Sequence, residues 1–135
     1  MRRRKTVPER LRPAQEAFTA QAERVQAARR VVLSCLPVGR VDPAPVPVGL
    51  DVLAGELAAV AAELPAWRTP EVEAHWERCR ASLDEALAAV PAARRVAAAS
   101  TELEELLGAV EDVVEPLGHA WGDAERRWRA LRERA

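Results

Sequence analysis

Tyrosine is absent from this chain and phenylalanine occurs once, so the aromatic enrichment that favours strands is missing. Glycine is scarce too, six in 135 residues, which excludes a collagenous or linker-like composition. Cysteine is limited to Cys35 and Cys79, far apart in sequence. They form no paired-cysteine motif and no disulfide framework, and both read as small core residues, reduced in a cytoplasmic protein. Charge of one sign is also lacking: the net charge is −1, which gives the chain as a whole no electrostatic reason to seek nucleic acid or an anionic membrane. Long hydrophobic runs are missing as well. The most apolar stretch, "LAGELAAVAAEL", carries Glu56 and Glu63, so no membrane span is expected. The opening "MRRRKTVPERLRP" has the basic head of a secretory signal but a charged amphipathic segment where the apolar part belongs, so export is not expected.

Catalytic signatures are equally thin. There is no phosphate-binding glycine loop, no metalloprotease motif and no serine with a neighbouring base, and two histidines are a small supply for acid–base work. Glu115, His119 and Asp123 line up at fourfold spacing, and His75 lies four before Cys79 with Cys35 as a further donor. Metal sites, however, usually gather ligands from several elements, and a solvated helix face has the same spacing as the first set. The expectation is a non-enzymatic protein with no metal and no cofactor.

What is present is a helical alphabet. Leu, Ala, Glu and Arg dominate, all strong helix formers. Hydrophobic residues make up 49%, enough to bury a real core at this length without staples. A single helical domain is expected over 1–135, with a flexible basic tail at 1–5 and a Pro/Gly-rich loop over 37–49.

Four apolar stripes recur at spacings of three and four. The first runs Leu11, Ala14, Phe18, Gln21, Val25, Ala28, Val32, Cys35, with Gln21 its only polar member. It opens either at a capping box, Thr6 with Glu9, or at Pro13 as the first helical residue. The second runs Leu50, Leu53, Leu57, Val60, Leu64 and is closed by Pro65; the third, after Thr69 as N-cap and Pro70, runs Val72, Trp76, Cys79, Leu83, Ala86, Val90. The fourth follows a second box, "TELE" at 101–104, and runs Leu103, Leu107, Val110, Val114, Leu117, Trp121, Ala124, Trp128, Leu131. Four such helices bury their stripes in an all-α, antiparallel up-down four-helix bundle, with kinks or breaks near Pro91 and Pro116.

That topology gathers Phe18, Trp67, Trp76, Trp121 and Trp128 at one pole, together with the arginines of both termini. The arginines at the end of the fourth helix complement the helix macrodipole, and they also form a composite basic surface with Arg2, Arg3 and Arg4. Trp and Arg are the types enriched at interface hot spots. The candidate interface is therefore Trp67, Arg126, Arg127, Arg129 and Arg132 with Arg2, Arg3 and Arg4, and Trp67 reads either as a cap on the core or as a partly exposed anchor. The function expected is self-association or partner docking by a helical bundle through that pole or one exposed helix face. The alternative is nucleic-acid binding through the same basic residues, whose affinity would fall steeply with salt.

Overall fold

In a computed structural model that describes residues 6–37 and 45–134, four helices carry the chain: α1 (Arg12–Ser34), α2 (Val46–Glu63), α3 (Glu73–Ala99) and α4 (Leu103–Arg134). Short 3-10 turns precede α1 at Glu9–Leu11 and join α2 to α3 at Leu64–Trp67 and Pro70–Val72. Sequential helices are neighbours and antiparallel. Arg24 of α1 reaches Glu56 and Glu63 late in α2, whereas Val32 and Cys35 meet Gly49 near its start. Cys79 early in α3 reaches the Ala120 carbonyl midway along α4, Arg127 late in α4 reaches the Glu71 carbonyl just before α3, and Phe18 of α1 stacks on Trp121 of α4, closing the ring.

Every residue of the first three stripes is buried, because each helix turns one apolar face to a common core. The fourth stripe is wider than expected. Leu103 is exposed, whereas Leu106, Val113 and Ala120, seven apart, form a second buried row. Ala120 accepts from Cys79, so this row faces α3, and a helix packed against two neighbours needs a broader face than one seam.

Local punctuation departs from the sequence reading in three places. No side-chain cap forms at Thr6 and Glu9; the chain enters α1 through the turn after Pro8, and Pro13 takes a first-turn position where its missing N–H costs nothing. At the second box the Ser100 hydroxyl, not Thr101, accepts from the Glu102 amide, and α4 starts at Leu103. The expected loop over 37–49 is shorter, since Val46–Gly49 are already helical. Pro45 sits at the N-cap and Pro47 in the first turn, positions whose amides have no intrahelical partner anyway. Residues 38–44 and the tail at 1–5 lie outside the described residues. Of the kinks or breaks expected at Pro91 and Pro116 no break occurs: α3 and α4 each continue through their proline as one helix, and neither ring enters the core, Pro91 being exposed and Pro116 half-buried.

The one polar stripe residue has a definite job. Buried Gln21 donates through Nε2 to the Glu63 carbonyl at 2.8 Å and accepts at Oε1 from the Trp67 indole N–H at 2.9 Å. Trp76 donates to the next carbonyl, Leu64, at 2.8 Å. Carbonyls at a helix C-terminus lack intrahelical donors, so side chains from α1 and α3 cap the end of α2. Trp67, fixed by this bond, lies edge-on to Phe18 at 4.9 Å and to Trp121 at 5.8 Å. Arg68 stacks over Trp76 at 4.2 Å and pairs with Glu73, whose carboxyl it holds below the usual carboxylate range.

Two substitutions check this packing. Gln21→Leu strands a buried indole N–H and a helix-end carbonyl, so a loss of about 2–6 kcal/mol is expected from urea unfolding, at about 1–3 kcal/mol per orphaned group. At Gly49 a Cβ would meet Cys35 Sγ at 2.8 Å and the Val32 Cα at 3.2 Å. Gly49→Ala therefore destabilises by about 1–3 kcal/mol, despite alanine's better helix propensity; an unchanged denaturation midpoint would contradict the close approach.

Candidate interaction site

The aromatic pole forms as a cluster, but it is sealed. Trp67 is 0% exposed, so of its two readings the core cap holds and the surface anchor does not. Its indole N–H faces a buried amide, and its ring is enclosed by Phe18 and Trp121. The arginines of α4 are largely engaged within the protein. Arg126 pairs with Asp123, and Arg129 with Glu125 at 3.5 Å, each along its own helix. Arg127 is half-buried and donates to the Glu71 carbonyl at 3.0 Å, while the Glu71 carboxylate takes Arg10 at 2.9 Å. Arg132 is half-buried in the last turns, and Arg2, Arg3 and Arg4 lie outside the described residues. At the opposite end of the bundle, Arg94 pairs with Asp51 of α2.

A groove of about 300 Å³ opens between α1 and α4 beside the rings of Phe18 and Trp121. It is lined by Phe18, Ala22, Gln26, Arg30, Trp121 and Glu125, among others, and mixes both charge signs without a convergent polar set. The residues weighed as metal donors do not converge. His119 Nε2 stands 3.9 Å from Glu115 with its side chain 81% exposed, and among the described residues no group of three or more His, Cys, Asp and Glu could hold a metal. Cys35 lies against Gly49 near the start of α2, Cys79 against Ala120 of α4.

The surface that the sequence reading passed over is the outer side of α2. Val48, Val52, Gly55, Ala59 and Ala62 follow one another at spacings of four and three, a second stripe opposite the buried one. Val48 is 54% and Val52 50% exposed. The helix has only three acids, and all lie on its flanks: Asp51 is held by Arg94 of α3, Glu56 and Glu63 by Arg24 of α1. The apolar surface continues onto α1. Val31, seven residues after Arg24 and so on its α2-facing side, is 42% exposed, with exposed Ala27 and Ala20 beside it. A helix that is apolar on both sides is normally buried on both. The alanine-rich spacing was the available signal, hidden because 46–49 read as loop.

Burial pushes the Cys79 thiol from about 9 up to about 12. The folded chain therefore keeps it protonated where the unfolded chain ionises it. Its contribution to stability is full below pH 9 and declines as pH rises from 9 toward 12. Urea midpoints measured across that range should fall for the native chain and stay flatter for Cys79→Ala; equal slopes would contradict the assignment. Compared with protein-family models, curated proteins and solved structures, the chain matches none of them.

Proposed function

We propose that this chain is a non-enzymatic interaction protein of the cytoplasm, a helical bundle that works by association through a helix face. The observation that carries the reading is the outer stripe of α2, uncharged along its length and flanked by acids that neighbouring helices already hold. Contiguous exposed apolar surface on a small protein marks an interaction site. Two buried, unpaired thiols suit a reducing compartment. Among the described residues no helix is long and apolar enough to cross a membrane. The pairing of Arg126 with Asp123 and of Arg129 with Glu125 draws the reading away from the basic pole and from nucleic acid.

The test sets two charge-changed variants side by side: Val48→Glu with Val52→Glu, and Arg126→Glu with Arg129→Glu. Association, measured by size-exclusion chromatography with light scattering and by capture on the immobilised chain, should be lost in the first and kept in the second. Helical circular dichroism should be unchanged in both. Association that survives the α2 pair but fails with the arginine pair would overturn the α2 reading, and nucleic acid co-eluting only at low salt would replace it with the basic-pole one.

A further inference from the structure

We infer that the outer face of α2 is a homodimer interface in which two copies of α2 cross antiparallel about a two-fold axis through Gly55. This rests on the reading of that face as the site of association, and it names the partner.

The stripe is graded in size. Its first half carries Val48 and Val52, its second half Ala59 and Ala62, and Gly55 lies between them. A two-fold axis at Gly55 inverts one copy on the other, bringing Val48 opposite Ala62 and Val52 opposite the Ala58–Ala59 step. Each knob then meets a hollow. A parallel pairing would set valine on valine and alanine on alanine, leaving a bulge at one end and a gap at the other, and close packing penalises both. At the axis a Cβ on Gly55 would meet nothing of its own chain within 4 Å, so the two backbones can approach closely there. Symmetric pairing of one patch with itself is also the commonest route to an oligomer.

Charge selects a second copy over an anionic membrane. Among the described residues, three carboxylates, Asp51, Glu56 and Glu63, stand around the stripe against two guanidinium groups, Arg24 and Arg94. A helix that lies on an anionic bilayer carries basic flanks, whereas this one is slightly acidic. An identical surface, by contrast, brings only charges that are already paired within each copy. The size is adequate. Eighteen residues make α2 about 27 Å long, and with the Val31 side of α1 packed beside it the face is about 20 Å wide. That footprint is about 540 Å² per copy, smaller than the about 800 Å² per partner of a standard interface but just above the roughly 1,000 Å² in total that a specific one needs.

The experiment is light scattering or sedimentation equilibrium on the full chain at micromolar concentrations, with Gly55→Arg as the discriminating variant. Arginine is a better helix former than glycine, and the site has room within the monomer, so the fold is expected to persist with an unchanged or raised thermal midpoint. The native chain should show twice the 14.8 kDa monomer mass, and Gly55→Arg the monomer mass. Register is read by oxidation. Gly55→Cys should cross-link into a disulfide dimer and Ala62→Cys should not, because the antiparallel arrangement holds the two 62 positions about 21 Å apart, too far for a disulfide.

A native chain that stays monomeric, a dimer indifferent to Gly55→Arg, or cross-linking at both cysteine positions each overturns the inference. A monomer whose capture of another protein is abolished by Val52→Glu overturns the second copy as occupant while leaving the face as the docking site. If neither self-association nor capture responds to Val52→Glu, both readings fall.

Discussion

The end of α2 is where this bundle is fixed. A helix that stops inside a protein leaves carbonyls without donors, and here two of them, Glu63 and Leu64, are taken by side chains from two different helices. Gln21 does more than cap. Because its other end accepts from Trp67, the amide orients the tryptophan that the remaining rings pack around. Removing the amide would disturb a helix end, a turn and an aromatic cluster together. A buried polar side chain with both ends satisfied specifies one arrangement in a way that an aliphatic residue at the same place cannot.

From that constraint the two poles acquire different characters. At the Trp67 end large rings pack between α1 and α4, and a groove lies beside them. At the other end small residues let helices close in, most visibly where Gly49 touches the backbone of Val32. The arginines at the aromatic pole serve mainly as struts: Arg127 holds the turn before α3 through a carbonyl, Arg10 holds the same turn through its carboxylate, and Arg68 covers Trp76. Charge on the surface of α2 is disposed in the opposite sense, at the edges, so that the outward stripe keeps none.

Much of this was legible in the sequence, because the period of buried residues in α1, α2 and α3 is a direct imprint of helix geometry. The aromatic pole followed from topology and chain order alone. Caps were less legible: "TVPE" and "TELE" have the right residue types, but proline at 8 and serine at 100 offered the backbone competing solutions. The prolines at 45 and 47 misled for a related reason, since proline breaks a helix interior yet suits a first turn, and composition does not say which. That one boundary error hid Val48 as a helical residue and with it the outer stripe. Trp67 was ambiguous because burial depends on Gln21, distant in sequence by 46 positions and placed opposite it only by the fold.

The confinement of all five aromatic residues to one end has an optical consequence. Phe18 and the indoles at 67, 121 and 128 form one cluster with neighbouring rings 4.9 to 6.2 Å apart, and Trp76 caps the same end of α2. The intrinsic fluorescence of this protein is therefore a local gauge, sensitive to the closing of α1 on α4 around Gln21 and blind to the alanine-rich half. Far-ultraviolet dichroism, in contrast, weighs every helical turn alike. Where the two signals part company during unfolding, the interval between them measures how independently the two halves of the bundle come undone.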